Sequence, residues 1–106
     1  MIQKLSADLV WSQIVARAWC DELAAAFERF DLLACPTLTI FPPRLDEAED
    51  LRTARCTLPV NLAGLPAVAL PVPTGGPLPA SLQLIGPAGS EATLLAAAAV
   101  VEAATA

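Results

Sequence analysis

Nucleophilic chemistry in this sequence has to come from the serines Ser6, Ser12, Ser81 and Ser90, the cysteines Cys20, Cys35 and Cys56, and a single lysine, Lys4. A hydroxyl or thiol becomes a useful nucleophile when a base takes its proton and backbone N–H groups face the oxyanion that forms. Histidine, the usual base, is absent from the sequence. Ser-His and Cys-His pairs and most zinc sites are thereby excluded. A Ser-Lys pair would depend on Lys4, at a chain end that is poorly held unless something ties it down. No serine sits in a Gly-rich turn that exposes a nucleophile, and there is no phosphate-cradling loop. The residues give no catalytic position, no metal site and no cofactor.

The cysteines are odd in number and have no close pairing pattern, which predicts free thiols in a reducing compartment and a cytoplasmic protein. Cys35 has neither a cationic neighbour nor a histidine, so it reads as a packed thiol. The acids Asp46, Glu47, Glu49 and Asp50 lack the spaced oxygen ligands and the glycine of a calcium loop. They read as part of an exposed, proline-containing loop over residues 39–50.

Periodicity indicates the elements that must position these groups. Trp11, Val15, Trp19, Leu23, Ala26 and Phe30 recur at steps of three or four, which predicts a helix over residues 6–30 with this stripe on a core and Ser6 as its N-cap. Both tryptophans read as core residues, and Arg17 with Asp21 forms an i,i+4 pair. Residues 31–35, apolar after Asp31, predict a short strand buried on both faces and ended by Pro36. Residues 52–63 predict a helix closed by Gly64 in the left-handed cap position. Residues 67–70 and 81–85 predict two strands that pair as an antiparallel hairpin around the Thr74-Gly75-Gly76 turn. Gln83, between Leu82 and Leu84, points to the opposite strand face, toward solvent or a neighbouring element. Ser90 caps a last helix over 91–104 that is apolar nearly all round and so predicts burial on more than one side.

This order gives a layered α/β segment, part of a larger mixed sheet flanked by helices, with too few strands to close a sheet alone. At least one sheet edge is left open. The sequence is 56% hydrophobic and 16% charged, and it carries no charged residue from Cys56 to Ser90. Such a surface is short of polar cover and implies faces that meet more protein. The prolines of the uncharged stretch and the short apolar run from Ala92 to Val101 give no membrane span, and no signal peptide is indicated. A net charge of -5 argues against nucleic acid.

Four blocks of sequence carry a resemblance. The run from Phe27 to Thr37, the block from Leu58 to Ala67, Leu82 to Gly86, and Glu91 to Leu95 together resemble, in order, the C-terminal part of amidase signature hydrolases. The resemblance covers about residues 17–104, and its most specific blocks are Asn61 to Ala67 and Leu82 to Gly86. Cys35 stands where the family commonly has Thr, and Ala80-Ser81 replaces the small or Gly residue usual before Leu82. The resemblance implies an enzyme that hydrolyses carbon–nitrogen amide bonds with a Ser nucleophile, a second Ser in a cis peptide and a Lys as ultimate base. In the family those groups lie upstream of the matched region, so no catalytic residue carries over.

By the same resemblance residues 1–106 form one C-terminal segment of an amidase-like domain, from an incomplete gene product or a fragment, supplying sheet strands and one wall of an acyl pocket. Thr57, Leu58 and Asn61 would approach the substrate, with Thr37 at a strand end near it. Residue chemistry alone also allows Asn61 to bond its own backbone and gives Gly64 and Pro66 backbone roles. The implied partners are the remainder of an amidase domain or further copies of the chain, with a small-molecule amide only in a complete enzyme. The alternative is a non-catalytic association module that forms a homo-oligomer or docks on a partner.

Overall fold

The computed structural model describes residues 2–47 and 55–106. Helix α1 spans Ile2–Arg29, strand β1 Leu33–Pro36, helix α2 Leu58–Ala63, strand β2 Ala67–Val72, strand β3 Ala80–Ile85 and helix α3 Glu91–Thr105. The chain is an α/β segment in which helices flank a small antiparallel sheet. Strand order is β1-β3-β2, and both pairings are antiparallel. The β2–β3 hairpin is the one the sequence predicts. Its connection is shaped at Thr74, whose hydroxyl donates to the Leu78 carbonyl (2.8 Å) and accepts from the Gly76 N–H (3.3 Å).

Register divides the sheet into two faces. Ala34, Leu84 and Val68 are in line across the strands, and Leu82 is opposite Leu70. This face receives α3: Leu70, Leu84 and Leu94 are its buried centre, with Leu32, Val68, Leu82, Ala97, Ala98 and Val101 packed around them. On the other face Cys35, Gln83 and Ala69 are in line. Side chains alternate along a strand, so Ile85 and Ser81 join Gln83 there.

Several expectations change. Helix α1 begins at Ile2, so Ser6 stands inside the helix and does not cap it. Of the stripe predicted to face a core, Leu23 is buried and Trp19 and Ala26 are half-buried, whereas Trp11, Val15 and Phe30 are exposed. Residues 8–15 of α1 are all exposed. The Arg17–Asp21 pair is present, Nε to Oδ1 3.4 Å, on the solvent side. Strand β1 is not buried on both faces: Leu33 and Cys35 are half-buried, but Ala34 and Pro36 are exposed, because β1 is an edge strand.

The helix predicted over 52–63 begins only at Leu58; Arg55–Thr57 form a turn, and 52–54 lie outside the described residues. Pro59 explains the late start, since its fixed φ and missing N–H suit a first helical turn and disfavour helix before it. Residues 45–47 of the acidic loop form a 3-10 turn in which Asp46 pairs with Arg44, and most of 39–47 is exposed. Glu49 and Asp50 lie outside the described residues. Strand β2 continues through Pro71, which the sheet tolerates because β2 is also an edge.

Ser90 precedes α3, but its hydroxyl donates to the Pro87 carbonyl (2.6 Å) and makes no cap bond to the helix. Helix α3 buries only Leu94 fully; Leu95 and Val100 are 64% and 69% exposed, so its predicted all-round burial is not met by this chain.

Candidate functional site

The sheet face opposite α3 collects the polar groups. Ser81 Oγ donates to Thr37 Oγ1 at 2.8 Å, and the Thr37 N–H bonds the Ser81 carbonyl at 2.9 Å, so the end of β1 is held to the start of β3 by backbone and side chain together. Beside this hydroxyl pair lies an open cleft of about 510 Å³, lined by Ser81, Ala69 and Pro71 from the sheet and by Leu38, Phe41 and Pro42 from the segment after β1. Its walls are largely apolar, and the described lining bears no charge.

Further along the same face Gln83 is 4% exposed. Its Nε2 donates to the Cys56 carbonyl (2.9 Å) and contacts Cys35 Sγ (3.4 Å). Of the two directions the sequence leaves open for Gln83, the neighbouring element is the one realised. Cys35 is a free, half-buried thiol, as are Cys20 and Cys56.

Cys56 leads directly into α2. Gly64 closes that helix at φ 66, ψ 30, with its N–H on the Asn61 and Val60 carbonyls, as the sequence predicts. The Leu65 N–H reaches back to the Val60 carbonyl (3.4 Å), completing the reversal before Pro66. Helix α2 buries Val60 and presents Leu58 and Asn61 to solvent. With Val15, Trp19, Pro59 and Leu62 they line an open groove of about 710 Å³ between α1 and α2. Trp19 Nε1 donates to the Pro59 carbonyl at 2.7 Å.

Of the residues singled out in the sequence, Leu58 and Asn61 therefore share one groove. Thr37 stands by the separate cleft at the end of β1, and half-buried Thr57 is in the lining of neither. Asn61 bonds locally through its backbone, N–H to the Thr57 carbonyl and carbonyl from the Gly64 N–H. The links from Gln83 to Cys56, Trp19 to Pro59 and Ser81 to Thr37 are not legible in the sequence, since each joins residues at least 27 apart through a register that only the fold fixes.

The amidase family profile matches residues 2–95. The chain belongs to the amidase family. Its relatives include a glutamyl-tRNA(Gln) amidotransferase subunit from Halobacterium salinarum, 40% identical over 94 residues, covering 82% of this chain and 22% of that protein. The corresponding Moorella thermoacetica protein is 45% identical over 89 residues, covering 79% of the chain and 18% of the relative. The Archaeoglobus fulgidus protein is 46% identical over 74 residues, covering 66% and 16%. The amidase chain thus spans about a fifth of the length of these relatives. Among its described residues no helix is long and apolar enough to cross a membrane.

Proposed function

We propose that this chain is the part of an amidase-type hydrolase of carbon–nitrogen bonds that supplies sheet scaffold and part of the acyl-pocket wall. The Ser-cisSer-Lys triad belongs to the remainder of such a domain. The observation that carries this reading is 40–45% identity over 89–94 residues to glutamyl-tRNA(Gln) amidotransferase subunits, of which the matched segment is about a fifth. The site face fits the role: an uncharged cleft beside the Thr37–Ser81 pair and a short helix that presents Leu58 and Asn61 are wall-like, and neither holds an activated nucleophile. Thr57 lies at the N-terminal end of that helix, while Gly64 and Pro66 fix its exit. The relatives are named as subunits, which supports assembly with further chains. The free cysteines support the cytoplasm.

A chimera tests the proposal. Residues 17–104 replace the matching segment of the Moorella thermoacetica relative, and amidotransferase turnover on glutamyl-tRNA(Gln) is followed in the assembled enzyme. The chimera is expected to turn over while this chain alone stays at background. Turnover by the chain alone, abolished by a single Ser or Cys substitution, would overturn the reading. A chimera that folds and assembles but is inert would favour the second reading, a non-catalytic association module, which the exposed apolar half of α1 supports.

A further inference from the structure

We propose that Gln83 is a positioning residue that sets the placement of α2, and with it the wall formed by Leu58 and Asn61. The inference rests on the reading of α2 as pocket wall. Among the described residues Gln83 is the buried polar side chain, on the central strand of the sheet. Burying an amide costs free energy unless its groups are bonded, and here the donor is spent on a backbone carbonyl, Cys56 O, at 2.9 Å.

Helix α2 needs that anchor. It has six residues, far fewer than a helix requires to persist on its own. Its placement therefore depends on tertiary contacts. Two long-range side-chain donors reach its start: Gln83 of the sheet at the Cys56 carbonyl, and Trp19 of α1 at the Pro59 carbonyl, 2.7 Å. Thr57 and Leu58 lie between the two anchored carbonyls, and Asn61 follows within the same short helix. Val60 buries the inner side of α2 but supplies no direction. The hydrogen bonds do, and loss of one lets the helix shift relative to α1 and the sheet.

Gln83→Met removes the donor and keeps a flexible side chain of similar length, and two measurements read the result. In the 106-residue chain, hydrogen exchange at the Asn61 and Gly64 amides is expected to speed up by about three- to tenfold, the range one net hydrogen bond allows. The β2–β3 ladder should keep its protection. In the chimera, the KM for the amide donor is expected to rise about three- to tenfold with kcat within about twofold, the mark of lost substrate placement. A fall in kcat at constant KM, or protection lost equally in α2 and the ladder, would show that Gln83 only holds the fold together, and the proposal would be wrong. Unchanged exchange and kinetics would also overturn it. If the chimera is inactive with Gln83 intact, the pocket-wall reading fails, and the exchange measurement alone decides whether Gln83 anchors α2.

Discussion

Gly64 and Gly86 show how differently two glycines constrain this chain. At Gly64, φ is 66 and an added Cβ would meet nothing within 4 Å, so the penalty for a side chain is purely one of backbone conformation. Gly64→Val is expected to cost about 1 kcal/mol or more, since a β-branched residue is disfavoured at positive φ. A chemical-denaturation midpoint identical to that of the parent would contradict the assignment. At Gly86 the conflict is steric: an added Cβ would run into Ser90 Oγ and stand 3.2 Å from Leu32 Cδ2. Gly64 was legible in the sequence because a glycine after a short apolar helix has few other uses. Gln83 was legible only in its direction. Strand alternation turns it away from Leu82 and Leu84, but its partner Cys56 follows from the placement of α2, which no local pattern encodes.

At the scale of elements, the sequence predicts the main helices and strands correctly in type and order, and the differences lie in the starts of α1 and α2 and in burial. Hydrophobic periodicity reports which face of an element wants cover, not whether the chain itself provides it. The stripe on α1 and the apolar circumference of α3 both predict burial, yet Trp11 is 66% and Val100 69% exposed. Helix α3 offers an internal comparison. Leu94, 2% exposed at the centre of the sheet packing, is expected to cost about 2 kcal/mol or more when replaced by Ala. Leu95, 64% exposed, is expected to cost about 0.5 kcal/mol or less in this chain. In the chimera, where the rest of an amidase domain would cover α3, Leu95→Ala is expected to lower the melting midpoint measurably. Equal, small effects of Leu95→Ala in both settings would show that this side of α3 stays open to solvent.

The molecule as a whole has the shape of a part. Its extents are 53 × 41 × 17 Å and its radius of gyration is 16.7 Å, against about 13 Å for a compact domain of this size. Its accessible surface is 7827 Å², whereas a compact monomer of 11.0 kDa exposes about 5,600 Å². The excess, on the order of 2,000 Å², is what an obligate interface buries. Leu9, Val10, Trp11, Ile14, Leu58, Leu62 and Leu95 all contribute to it. Both outer strands, β1 and β2, also leave an edge unpaired among the described residues. At low micromolar concentration the isolated chain is therefore expected to self-associate in sedimentation velocity. A single monomeric species with sharp, dispersed amide resonances would show that these surfaces need no cover. Complementation tests the proposal that this chain completes an amidase whose nucleophile lies in the remainder of the domain. The purified chain is titrated into the part of the Moorella thermoacetica relative that precedes the matching segment, and amidotransferase activity on glutamyl-tRNA(Gln) is recorded. The prediction is no turnover from either piece alone and a saturable rise as they approach equimolar amounts; full activity of either piece by itself, or no rise despite formation of the complex, would contradict it.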